Sequence, residues 1–165
     1  ITASGGDHVE MRISPNPGEP LKPLNAIASG GEISRVMLAL KAVSADEYGV
    51  GAMVFDEIDT GVSGRMAQAV GEKMAMIAGK RQVLCVTHLP QIAALADRHF
   101  VVEKTQVGER TGSNVRVLDA KGRAQEIARL IGGAEDSPSA IEHAENMLAA
   151  AQRRKEELRH RTEGI

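Results

Sequence analysis

The sequence predicts an α/β fold with a mostly parallel sheet, flanking helices and a small antiparallel edge, and three observations predict it. Ala52-Met-Val-Phe55 is apolar without alternation, and so is the middle of Gln82-Val-Leu-Cys-Val-Thr87; this is the pattern of strands buried on both faces of a parallel sheet. Each of these runs is followed by residues at helical spacing, as in a strand–helix repeat. His99-Phe-Val-Val-Glu103 and Asn114-Val-Arg-Val-Leu118 are β-rich and joined through glycine, which suits an antiparallel pair at one side of the sheet.

The 165 residues are enough for one domain with a sizeable core. An apolar fraction of 42% and a charged fraction of 25% exclude disordered and fibrous classes. Aromatics make up 2% of the chain, so Met, Ala, Ile, Leu and Val must fill the core. Only Tyr48, Phe55 and Phe100 are available to stack on a base, which argues against aromatic readout of single strands. A net charge of −2 gives no chain-wide attraction to nucleic acid or acidic lipid. The single cysteine, Cys85, lies in an apolar run; it excludes an internal disulfide and fits a structural thiol in a reducing cytosol. No stretch approaches the roughly 20 apolar residues of a membrane span. A start at Ile1 rather than Met suggests a fragment.

Taken in order, His8 to Ile13 alternates, with Val9, Met11 and Ile13 on one face of a half-buried strand, and Ser14 to Gly18 ends it in turn residues. Lys22 to Asn25 is expected to be extended, because Pro23 disfavours helix at the residue before it. Ile33, Val36, Met37, Leu40 and Val43 then mark a helix from about Gly30 to Ala45, with Ser29 as N-cap and Glu32 at the capping-box position. Asp46 to Gly51 connects into the first apolar strand. Thr60 to Gly64 makes a tight loop, and a helix from Arg65 to Ala78 follows, with Met66, Val70, Met74 and Ile77 as core and Gly79 as its C′ residue. Pro90 suits the first turn of a helix carrying Ile92, Leu95 and Ala96. A helix from Arg123 to Ile131 ends at Gly132-Gly133, and Ser137-Pro138 starts a last one reaching His160. The basic residues near its end, Arg153, Arg154, Lys155, Arg159 and Arg161, are interleaved with Glu156, Glu157 and Glu163 and read as a solvated face, with a DNA-touching patch as the alternative.

Three places carry chemistry. Asp56 and Glu57 lie at the carboxyl end of the first apolar strand, where ligands sit in open α/β sheets. Asp56 is able to hold Mg²⁺ and Glu57 to orient or deprotonate a water; the alternative is a pair of surface acids capping the next helix. Ser29, Gly30 and Gly31 place a hydroxyl and free backbone N–H groups at a helix start, which is either an anion site or an ordinary cap. Thr87-His88 would sit beside Asp56-Glu57 if the two strands are neighbours; His88 then either donates to a phosphate oxygen or positions water, or is a capping histidine.

In this order, the three places resemble the C-terminal half of an ATP-binding-cassette ATPase head of the P-loop NTPase type. Asn25-Ala-Ile-Ala-Ser-Gly-Gly-Glu-Ile-Ser-Arg35 is similar to the signature motif, Met53-Val-Phe-Asp-Glu57 to Walker B and Val86-Thr-His88 to the switch histidine. Asn16-Pro-Gly-Glu-Pro-Leu-Lys-Pro-Leu24, Phe55-Asp-Glu-Ile-Asp-Thr-Gly-Val-Ser-Gly64 and Cys85-Val-Thr-His-Leu-Pro-Gln91 narrow the resemblance to the RecN family, bacterial double-strand-break repair proteins related to the structural-maintenance-of-chromosomes ATPases. It covers roughly His8 to Leu148.

The resemblance implies two heads that sandwich two ATP molecules with Mg²⁺, acting with DNA in the bacterial cytoplasm, at the nucleoid. It implies that Ser29, Gly30, Gly31 and Glu32 meet ATP across the dimer, that Asp56 serves Mg²⁺, that Glu57 is the catalytic base and that His88 touches the γ-phosphate. Gly61 and Ser63 fall in the loop between heads, where relatives usually carry Asp at the position of Ser63. The G-x-x-x-x-G-K-[ST] loop is absent from the 165 residues, so the resemblance implies half a head, with Walker A on an N-terminal half. Residues 1–50 would hold the signature helix, 51–136 the Walker B and switch-histidine core, and 137–165 the terminal helix and tail. Two other readings are a DExD helicase fragment built on Asp56-Glu-Ile-Asp59, and a non-hydrolysing dimerisation and nucleotide-sensing module.

Overall fold

The computed structural model describes residues 5–7, 9–14, 17–27, 30–43, 51–107, 110–132 and 137–163. The expectations for His8, Ser29, Ala45, the connection through residue 50, and Gly133 lie outside the described residues. The elements run β1 (Arg12–Ile13), β2 (Lys22–Pro23), α1 (Leu24–Ile27), α2 (Gly30–Val43), β3 (Ala52–Phe55), α3 (Gly64–Ala78), β4 (Gln82–Cys85), α4 (Pro90–Ala93), β5 (Phe100–Val107), β6 (Arg110–Val117), α5 (Ala120–Leu130) and α6 (Pro138–Glu163).

β3 and β4 pair in parallel, Ala52 opposite Gln82 through Phe55 opposite Cys85. Among the described residues this parallel pair stands apart from the two antiparallel pairs, β1–β2 and β5–β6, each a separate two-stranded sheet. Among the described residues the hairpin of β5 and β6 does not join the parallel pair, where the sequence expectation set it at one side of that sheet. Local alternation fixes the pairing of a hairpin but carries no information about which sheet it joins.

The strands are also not buried on both faces. Met53 and Phe55 are buried in one cluster with Leu38 of α2, Val70, Met74 and Ile77 of α3, and Ile58. Val54 on the opposite face of β3 is 69% exposed, and Leu84 and Val86 are exposed beside it. A continuous apolar run implies a cover on each face, and the described residues supply one cover.

Further expectations need correction. Val9 and Met11 are exposed, and among the described residues of this segment Arg12–Ile13 forms strand, paired with Lys22–Pro23, after which α1 begins at Leu24. Met66 is exposed at the open end of α3, while Val70, Met74 and Ile77 face inward. Gly79 ends α3 in a right-handed conformation with φ −64°, so glycine is not needed there for a left-handed cap. α5 starts three residues before Arg123, because Asp119 caps it by accepting from the Gly122 N–H at 2.7 Å. It is followed by Gly132 at φ +89°, a conformation that favours glycine.

A second cluster joins Ala93, Ala94 and Leu95 after α4 to Ile127 and Ala128 of α5 and Ala144 and Ala151 of α6. Alanines let these helices approach closely, and Arg123 ties α5 back by donating to the carbonyls of Ala94 and Ala96. Along the basic end of α6, Arg153, Glu156, Glu157 and Arg159 are exposed, as a solvated face implies, while Arg154 and Lys155 turn to the fold. Arg154 grips Glu72 of α3 with two bonds of 2.9 and 2.8 Å, and Lys155 is buried against Asp97, which Arg159 also reaches. The Arg154 bonds hold the Glu72 carboxyl below its ordinary range. Arg154 and Lys155 are thus engaged with the fold.

Candidate functional site

The parallel register of β3 and β4 delivers Asp56-Glu57 and Thr87-His88 to the same end of the pair, and the Val86 N–H bonds the Phe55 carbonyl at 3.0 Å, carrying the ladder one step past β4. Asp56 is exposed, and one of its oxygens accepts the Glu57 N–H at 2.9 Å. Glu57 has φ +55°, a left-handed backbone that non-glycine residues adopt at a cost, and the chain turns sharply there. Two successive turns follow, Thr60 N–H to the Glu57 carbonyl at 3.1 Å and Val62 N–H to the Asp59 carbonyl at 3.2 Å. Ile58, between them, is fully buried and pins the loop to the core.

Asp59 points inward and is 4% exposed. Its Oδ2 accepts from the Thr87 hydroxyl at 2.7 Å and from the His88 N–H at 3.0 Å, and lies 3.0 Å from His88 Nδ1. The Thr87 oxygen in turn accepts the Leu89 N–H at 3.1 Å. Burial pushes the Asp59 carboxyl upward, but the Thr87 and His88 hydrogen bonds and the facing His88 ring outweigh it, and the net shift is downward. The His88 side chain remains 74% exposed. Cys85 is the opposite case: burial, with Asp59 and Asp56 nearby, raises its thiol to about 12, so it is a neutral structural group and not a nucleophile.

The first turn of α2 leans on the same loop. A methyl on Gly31 would lie 2.9 Å from the Thr60 carbonyl oxygen, whereas one on Gly30 would lie 3.7 Å from Glu57 Oε2. Glycine at 31 is thus required by close approach. Arg35, one turn along α2, donates to the Thr60 carbonyl at 2.9 Å and to that of Ile58 at 3.4 Å. The structure therefore brings together Gly30, Gly31, Asp56, Glu57 and His88. Glu32 is half-buried in the same helical turn. Gly61 sits at φ +72° at the tip of the loop, and Ser63, in extended conformation, precedes α3 without a side-chain capping bond.

What motif reading does not give at this site is the partners of Asp59, Thr87 and Arg35. Their signal was weak but present: a carboxylate two places after Glu57, and a Thr beside the histidine, each needing a partner. No group of three or more His, Cys, Asp or Glu side chains suited to a metal occurs among the described residues. The donor chemistry at Asp56, one exposed carboxylate with room for water and phosphate oxygens, fits Mg²⁺ and not a metal held by an all-protein cage. Among the described residues no helix is long and apolar enough to cross a membrane.

No protein-family model matches the chain. DNA repair protein RecN of Halalkalibacterium halodurans is 51% identical over 148 residues, 90% of this chain. RecN of Bacillus subtilis is 46% identical over 151 residues, and RecN of Deinococcus radiodurans 51% over 148. In each case the match spans 26% of the relative's length. A solved structure from work on "ATP-driven dimerization and DNA stimulated activation of SMC ATPases" superposes with a TM-score of 0.51 at 24% identity, covering 78% of this chain and 74% of its own. That likeness is one of fold, an α/β architecture shared with the SMC ATPase structure. Over nine tenths of its length the chain is similar to RecN proteins, at 51% and 46% identity to the matched segments of the first two of these relatives, which make up 26% of their length.

Proposed function

We propose that the chain is the C-terminal half of an ATPase head which, in the complete protein, dimerises around ATP in the repair of DNA double-strand breaks. The observation that supports this is the shared carboxyl end of β3 and β4, where Asp56, Glu57 and His88 converge beside the glycine-rich start of α2. Phosphoryl transfer needs positioned charge and a held water more than covalent chemistry. Glu57 orients and deprotonates the attacking water, and His88 faces the γ-phosphate. Asp56 would hold Mg²⁺, which when bound neutralises developing phosphate charge. Ser29, Gly30, Gly31 and Glu32 meet the ATP of the opposite head, with Gly61 and Ser63 in the loop facing it.

The partner on the same head is the N-terminal half with its Walker A loop. The exposed Val54, Leu84 and Val86 supply an apolar face for it, and a groove of about 330 Å³ lined by Ile33, Met37, Lys41 and Val54 adjoins that face. The chain alone would then hydrolyse ATP negligibly. DNA and a second head complete the assembly, in the cytoplasm and at the nucleoid. Neither the DExD reading nor a purely sensing module is favoured by the relatives.

Glu57→Gln in the complete protein tests the reading. ATP binding is retained, closed head dimers accumulate, and turnover falls by about 100-fold or more, the scale of a lost general base. Turnover at the unmutated rate would sink the assignment.

A further inference from the structure

Asp59 is the buried acid that the proposed chemistry leaves unused. Its neighbours Thr60 and Gly61 are exposed, yet Asp59 is turned inward at 4% exposure, and a carboxylate is costly to bury without partners. Three partners come from one place, the end of β4: the Thr87 hydroxyl at 2.7 Å, the His88 N–H at 3.0 Å and the His88 Nδ1 at 3.0 Å. The Thr87 hydroxyl is itself oriented by the Leu89 N–H, so Asp59 Oδ2 is held from two sides.

We infer that Asp59 is a positioning residue for His88, fixing the rotation of the exposed ring so that Nδ1 faces inward and Nε2 is presented to the ligand. The inference rests on the reading of His88 as the γ-phosphate contact. An ionised carboxylate only accepts, so the proton in the Asp59 contact belongs to Nδ1. A carboxylate that orients an imidazole through Nδ1 while Nε2 does the chemistry is a general solution to this problem. Here the carboxylate lies two residues after Glu57 on the same turn. The loop that carries the proposed base therefore also aims the proposed phosphate ligand.

The test is a cycle in the complete protein with Asp59→Asn, His88→Ala and the double variant, reading kcat and KM for ATP. Asp59→Asn lowers kcat by about 10-fold, with KM changed by less than about 3-fold, and in the His88→Ala background it costs less than about 2-fold more. Equal losses in both backgrounds would show that Asp59 acts otherwise than through the ring and would overturn the inference. So would an unaltered kcat in Asp59→Asn while His88→Ala is impaired. An unaltered kcat in His88→Ala would instead overturn the phosphate reading, and the inference with it. Should Asp59→Asn not fold, Thr87→Val removes the hydroxyl that steadies the carboxylate and leaves ring and acid in place. Its smaller loss must likewise vanish without His88, and a loss that persists overturns the inference.

Discussion

Gly30 and Gly31 look interchangeable in the sequence, but alanine at the two positions should act with opposite sign. In a helix Ala is favoured over Gly by about 0.8–1.0 kcal/mol in the interior and less in the first turn. At Gly30 the new methyl would make an ordinary contact, 3.7 Å from Glu57 Oε2, so Gly30→Ala should be neutral or stabilising by up to about 0.5–1 kcal/mol. At Gly31 the methyl meets the Thr60 carbonyl oxygen at 2.9 Å, Thr60 Cβ at 3.0 Å and Arg35 Nη1 at 3.1 Å. Overpacking of this kind costs about 1–3 kcal/mol, and a backbone oxygen cannot swing aside as a side-chain end can. Displacing Arg35 from Thr60 would lose a charged-donor hydrogen bond as well, discounted to about 1 kcal/mol because that site is exposed. The two variants should thus differ by about 2–4 kcal/mol. ATP turnover cannot separate them, since both glycines lie in the proposed phosphate contact. Native-state hydrogen exchange of the α2 and β3 amides in the complete protein can: Gly31→Ala should speed local opening by about 10-fold or more relative to Gly30→Ala. Equal exchange in the two variants would refute the close approach of α2 to the Thr60 turn.

Ile58→Ala should cost about 2–5 kcal/mol and Ile58→Val about 0.5–1.5, because the side chain is fully buried under the loop; thermal unfolding checks this, and a cost for Ile58→Ala near that of a surface change would contradict its burial. Lys155→Met should be neutral or stabilising, whereas Asp97→Ala, which strands a buried ammonium, should destabilise by about 1–3 kcal/mol, less than a fully buried pair because Asp97 is 57% exposed; a harmless Asp97→Ala would mean that water already solvates Lys155. Asp59 and Glu72 both have lowered carboxyls in the fold, so their contribution is complete above the ordinary carboxylate range of about 4 and is lost as pH falls through the lowered folded values. Glu72→Gln should accordingly flatten the acid limb of stability against pH, and an unchanged slope would dissociate Glu72 from it.

What the sequence made legible follows from how far each signal reaches. The strands β3 and β4, the starts of α2 and α6, and the meeting of Asp56-Glu57 with Thr87-His88 all come from local periodicity and from the polar residues that end an apolar run. Parallel pairing then brings the two ends together without further information. The Val54 face departs from the expectation because a continuous apolar run implies a cover on each face, and the described residues supply one. At Arg154 and Lys155 of α6 the local reading fails for a different reason. Arg154 finds Glu72 across 82 residues and Lys155 finds Asp97 across 58, and local charge spacing is silent on such partners. Asp59 shows both limits at once. As a residue in a motif it looks like one more acid near a metal, but its bonds to Thr87 and His88 span 28 and 29 residues and turn it away from the solvent that Asp56 faces. The two strand ends are therefore not merely adjacent: a buried carboxylate from one holds the histidine of the other, and any shift of the Glu57 turn must move the His88 ring with it.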